Sequence, residues 1–94
     1  MADLASVRAI AQGRVQGVLF RFFVAEKAKE LGLTGYVRNL PTRNGVEVQA
    51  EGERERLNEL ITHLKLGPPE AKVQRVVTSW SKYSGLYRSF NIKY

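Results

Sequence analysis

The residues best suited to chemistry lie in one run, Gly13-Arg14-Val15-Gln16-Gly17-Val18-Leu19-Phe20-Arg21. The run joins a strand-like segment to a segment of helical periodicity, so backbone N–H groups near the helix start lack intrahelical partners and can point at an anion. Gly13 and Gly17 let the backbone fold closely around a ligand. Arg21, at the helix start, adds a planar two-pronged donor matched to phosphate oxygens. Together these features describe a phosphate cradle, although the same residues also fit an ordinary strand-to-helix turn with a solvated arginine. Other chemistries are poorly supplied. The chain has no cysteine, hence no thiolate and no disulfide, and its single histidine, His63, argues against a zinc site of ordinary ligands. His63 falls between Ile61 and Leu64 on a helical stretch, where a partly exposed residue with no role is expected. Asn39, taken alone, reads as a strand-end or turn residue.

Several elements must position that run. Residues 6–12, with Val7, Ala9, Ile10 and Ala11 among polar neighbours, read as a strand ending at Gly13. Phe20, Val24, Ala28 and Leu31 recur at helical spacing, and Gly32 stands where that helix stops. Residues 34–40 form a second strand, and Val46, Val48 and Ala50 alternate with Glu47, Gln49 and Glu51 in a third. Between them, Asn44-Gly45 suits a tight antiparallel hairpin, because both residues tolerate positive φ. After Gly52, Glu53 and Glu55 favour the positive end of a helix dipole, and Leu57, Leu60, Ile61 and Leu64 form one apolar stripe that belongs in the core. Gly67-Pro68-Pro69 ends this second helix. A strand over about residues 72–82 follows, with Val73 out of phase with Val76, Thr78 and Trp80, which predicts a bulge or a bend near Arg75. A short last strand holds Phe90 and Ile92. The order βαββαβ plus a terminal strand predicts an α+β, ferredoxin-like split βαβ fold: an antiparallel sheet with two helices on one face.

Ninety-four residues suit one domain, residues 1–94, with one small core. Hydrophobic residues at 44% and charged residues at 26% are a globular balance. No apolar run approaches the roughly 20 residues of a membrane helix, and the first ten residues lack the character of a signal peptide, so no membrane partner and a cytoplasmic location are expected. Fifteen Lys and Arg against nine Asp and Glu give a formal charge of +6, which favours an anionic partner without saying which. A monomer is the expected state, for want of an exposed apolar stripe.

The segment GRVQGVLFR, residues 13–21, is similar to the acylphosphatase signature, in which a Gly, a Val-Gln-Gly-Val core, an aromatic and an Arg hold these relative positions. Gly35-Tyr36-Val37-Arg38-Asn39, followed by Val46 and Gly52, resembles that family's other signature, and the two together are highly specific. The likeness in layout covers nearly the whole chain, including Gly67-Pro68-Pro69 and Phe90-Asn91-Ile92. Two differences stand out. Ala11 occupies a position where the family usually has a larger aliphatic residue, and the stretch from Asn39 to Val46 is one residue longer than the usual spacing.

The resemblance implies the ferredoxin-like fold and a metal-independent, cofactor-free hydrolase that splits the carboxyl–phosphate bond of acyl phosphates. It implies that the amides of Gln16, Gly17, Val18, Leu19 and Phe20, with the Arg21 side chain, bind the phosphoryl group, while Asn39 orients the attacking water. Arg21 and Asn39 are then the catalytic residues, and an acyl phosphate and inorganic phosphate are the partners. The physics agrees with that division: phosphoryl transfer rests on preorganised donors and positioning, and a carboxylate leaving group is too weak a base to need a general acid.

Two other classes compete. The same element order serves RNA-recognition domains, but residues 6–12 and 46–51 contain no aromatic on which a base could stack, so no nucleic-acid partner is expected. A non-catalytic phosphate-ligand sensor would keep the loop and lack turnover.

Overall fold

The computed structural model describes residues 3–94. Along the chain run β1 (Leu4–Arg14), α1 (Phe20–Glu30), β2 (Thr34–Asn39), β3 (Gly45–Glu53), α2 (Arg54–Leu66), β4 (Lys72–Ser81) and β5 (Phe90–Lys93). One five-stranded sheet has the order β4-β1-β3-β2-β5, and α1 and α2 pack on it and on each other. Alternation decides which residues face the helices: Val7, Ala9 and Ala11 of β1 and Val46, Val48 and Ala50 of β3 are all buried there. Against them lie Phe20, Val24 and Ala28 of α1 and Leu57, Leu60 and Leu64 of α2. Burying each of those leucines contributes about 1.5–3 kcal/mol. Ile61 of the expected stripe is partly exposed, and so is His63, whose ring meets the edge of Phe23 at 6.4 Å.

Three expectations are corrected. The sheet is mixed, because β5 pairs with β2 in parallel, Gly35 opposite Phe90 and Val37 opposite Ile92. The reason is a single reversal: β1 and β2 run one way and β3 and β4 the other, so a chain that turns once after β4 must run alongside β2 in the same direction. β1 extends two residues beyond the expected 6–12 at each end, since its ladders run from Leu4 opposite Glu53 to Arg14 opposite Lys72. Of the bulge or bend expected near Arg75, a bulge is present, with Gln12 opposite Arg75 but Gly13 opposite Val73, so Gln74 is the extra residue. Gly13 lies at this crossing, where a Cβ would sit 2.2 Å from the Lys72 carbonyl oxygen. At the β2–β3 connection, positive φ falls on Arg43 (68°) instead of Asn44 and Gly45, and Gly45 is the buried first residue of β3. A Cβ at Gly45 would meet Leu40 Cδ1 at 3.0 Å, so this glycine is set by close packing.

The face away from the helices is polar. Glu47 is buried there between two arginines, accepting from Arg8 Nε at 2.6 Å and Arg38 Nε at 2.5 Å, with the Tyr36 hydroxyl at 3.2 Å. Glu51 holds the β4–β5 connection across this face, accepting from the Ser84 amide (3.0 Å), the Ser84 hydroxyl (2.7 Å) and the Gly85 amide (3.0 Å).

Candidate active site

β1, β2 and β5 all run in one direction, so their carboxyl ends meet at one end of the sheet. There the loop after β1 turns into α1. That helix begins unusually: its N-cap, Leu19, has left-handed backbone angles (φ 59°, ψ 24°), makes no side-chain cap, and no acidic residue occupies the first turn. The first helical hydrogen bond is Phe23 N–H to the Leu19 carbonyl at 3.0 Å. Among the described residues, the amides of residues 16–22 donate to no backbone carbonyl, so a run of N–H groups without backbone partners lies at the positive end of a helix dipole. Gly17, at φ 74°, supplies the turn inside this run, and a Cβ there would meet nothing within 4 Å.

A cavity of about 280 Å³ opens beside these amides. Its floor is apolar, made by the buried Val15 and Phe20 together with Ile92. Gly17, Arg21 and Asn39 give it polar walls, and Leu19, Phe22 and Tyr94 also line it. Arg21, from the first turn of α1, is braced by the end of β5: its Nη1 donates to the Lys93 carbonyl at 3.3 Å, and its guanidinium lies 4.8 Å from the centre of the Tyr94 ring. Asn39 is the last residue of β2, opposite Val46, on the helix-facing side with Val37. The parallel β2–β5 pairing is thus what sets the brace of Arg21 beside Asn39.

Of the residues expected at the site, Arg21, Asn39, Gly17, Leu19 and Phe20 line this one cavity, whereas Val18 is buried and Gln16 lies outside the lining. The Gln16 side chain is engaged elsewhere, donating through Nε2 to the carbonyls of Leu40 (2.9 Å) and Gly45 (2.8 Å). Sequence reasoning missed this clamp, the brace from Lys93 and Tyr94, and the left-handed Leu19. A glutamine between apolar Val15 and the Gly17-Val18 pair was the one available signal for the clamp. No group of three or more His, Cys, Asp or Glu that could hold a metal ion occurs among the described residues. No helix among them is long and apolar enough to cross a membrane.

Comparison with known proteins decides what this arrangement belongs to. The acylphosphatase family model matches residues 7–92. The chain belongs to the acylphosphatase family. Its relatives include an acylphosphatase of Dehalococcoides mccartyi, 48% identical over 88 residues that cover 94% of this chain and 97% of that one. Another, from Anaeromyxobacter dehalogenans, is 40% identical over the full length of both chains. Among solved structures, the acylphosphatase of Bacillus subtilis superposes with a TM-score of 0.91 at 36% identity, covering 96% of this chain and 99% of the other. This acylphosphatase therefore hydrolyses the carboxyl–phosphate bond of small-molecule acyl phosphates to a carboxylate and inorganic phosphate.

Proposed function

We propose that this acylphosphatase binds the phosphoryl group of its substrate with the amides of Gln16, Gly17, Val18, Leu19 and Phe20 and the Arg21 guanidinium, and that Asn39 orients the attacking water. The observation that carries this reading is the convergence on one cavity of Gly17, Leu19 and Phe20, whose amides have no backbone acceptor, with Arg21 and Asn39. Charge spreads over the three equatorial phosphoryl oxygens as the P–O bond to the acyl group breaks. Amides at a helix start and a guanidinium already fixed by Lys93 and Tyr94 meet that charge without rearranging. Asn39 has no useful basicity, but its amide offers one acceptor and two donors, enough to hold a water in line with the leaving oxygen. The water oxygen bonds to phosphorus, its proton passes to a phosphoryl oxygen, and the carboxylate leaves with the bonding pair.

No metal takes part in this scheme, and the test is hydrolysis of an acyl phosphate with a chelator present. Turnover is expected to persist, and Arg21→Ala is expected to lose about 3–4 kcal/mol of barrier lowering, a fall of several hundredfold in kcat. Loss of activity on chelation, or an Arg21→Ala enzyme as active as the parent, would count against the scheme. An inactive parent that still binds phosphate would favour a sensor.

The enzyme is further proposed to act as a one-domain cytoplasmic monomer without nucleic-acid or membrane partners. The burial of Leu57, Leu60 and Leu64, the cysteine-free composition, and the carboxylates at the centre of the open sheet face, where an RNA-binding sheet carries aromatics, all support this reading. Sedimentation and cell fractionation test it.

A further inference from the structure

We infer that Leu19, Phe22 and Tyr94 form a subsite for the acyl group, and that the enzyme favours acyl phosphates whose acyl group is bulky, apolar and uncharged. The inference rests on the phosphoryl group lying at the loop and Arg21. Large apolar side chains exposed singly need no explanation, but three around one cavity do. Leu19 is 79% exposed, Phe22 63% and Tyr94 99%, and all three line the cavity that holds Arg21 and Asn39. Each stands near a group proposed to hold the phosphoryl: Phe22 follows Arg21 directly in the chain, Leu19 precedes it by two residues, and the Arg21 guanidinium lies over the Tyr94 ring.

Backbone strain points the same way. Leu19 sits at φ 59°, where glycine would be at ease and leucine is not. A strained apolar residue at a ligand loop is an observation from which function is properly inferred. Charge narrows the acyl group further. Among the described residues Arg21 is the only charged side chain lining the cavity, and the phosphoryl group engages it, so none of them remains to pair with an anionic acyl substituent. The cavity, at about 280 Å³, falls just below the roughly 300–1,000 Å³ of typical small-molecule sites, which suits one ring-sized acyl group beside the phosphate.

The test compares kcat/KM for benzoyl phosphate and acetyl phosphate in the parent, Phe22→Ala, Phe22→Leu, Tyr94→Ala and Arg21→Ala, with folding checked by circular dichroism. The parent is expected to prefer benzoyl phosphate by at least tenfold. Phe22→Ala and Tyr94→Ala are each expected to lower the benzoyl-to-acetyl ratio about five- to tenfold, the worth of one aromatic contact, with Phe22→Leu retaining most of it. A ratio that stays within twofold of the parent's in both Phe22→Ala and Tyr94→Ala, while Arg21→Ala lowers turnover of both substrates several hundredfold, overturns the acyl subsite and leaves the phosphate site standing. Full turnover in Arg21→Ala overturns both.

Discussion

The Gln16 side-chain amide donates to the Gly45 carbonyl oxygen at 2.8 Å, and the same nitrogen reaches the Leu40 carbonyl at 2.9 Å. The loop after β1 and the connection after β2 are thereby fastened together, which sets the loop of Arg21 against the strand end of Asn39. Gln16→Ala removes both bonds. We predict a loss of about 1–3 kcal/mol in unfolding free energy and a fall of at least tenfold in kcat/KM, since small displacements of positioning groups are expensive in rate. Urea unfolding and steady-state kinetics check the two halves, and a fully active Gln16→Ala enzyme would show that the clamp does not position the site.

Gly13 and Gly17 separate scaffold from site. An alanine Cβ at Gly13 would lie 2.2 Å from the Lys72 carbonyl and 2.9 Å from the Gln74 amide nitrogen, so Gly13→Ala must push two strands apart. It is expected to cost more than about 3 kcal/mol of stability, in the range of strain at special backbone positions. Gly17→Ala meets no atom and strains only its own φ of 74°, at about 1–2 kcal/mol, but it disturbs the amides at the cavity. Thermal unfolding should separate the two variants, and phosphate binding should weaken in the folded Gly17→Ala protein.

The elements most legible in the sequence were those whose burial pattern is local. The stripe Leu57-Leu60-Leu64, the alternation Val46-Val48-Ala50 and the phase break at Val73 each report their own surroundings, and helices, strands and bulge followed. The direction of β5 was not legible, because Phe90 and Ile92 alternate in the same way beside a parallel or an antiparallel neighbour. That long-range pairing brings Lys93 and Tyr94 to Arg21, so the brace was hidden with it. The loop residues carried the likeness to the family signature, yet side-chain identity says nothing of φ, and the left-handed Leu19 emerged only from the backbone.

Leu19→Gly should stabilise the fold. Relief of a left-handed leucine is worth about 1–3 kcal/mol, against about 0.5–1 kcal/mol for the extra freedom of glycine in the unfolded chain. Little burial is lost from so exposed a residue. We expect a net gain of about 1 kcal/mol in urea unfolding, alongside a reduced preference for benzoyl phosphate, the direction of a trade between stability and function. A destabilised Leu19→Gly protein would mean that Leu19 packs for structure.

Acid should weaken the fold through the open sheet face. Burial pushes the Glu47 carboxyl up, but hydrogen bonds and charge from Arg38 and Arg8 outweigh it and leave the group below its ordinary value. Glu51 is also pushed up by burial and brought below its ordinary value by the hydroxyl and amide of Ser84, the amide of Gly85 and the hydroxyl of Ser6. Both groups hold a proton less readily when folded. Their stabilisation is therefore complete above the ordinary glutamate range and is lost as pH falls through the lowered folded values, below about pH 5. Chemical denaturation across pH 3–8 should show that acid limb, and Glu51→Gln should make it shallower. An unchanged limb in Glu51→Gln would remove Glu51 from the explanation.

The division of labour between Arg21 and Asn39 is tested most directly by calorimetric titration of inorganic phosphate into the parent, Arg21→Ala and Asn39→Ala. Affinity is expected to fall at least tenfold in Arg21→Ala, the loss of a charge-assisted pair, and to stay within about twofold of the parent in Asn39→Ala. Parental affinity in Arg21→Ala, or a collapse of affinity in a folded Asn39→Ala protein, would contradict the account.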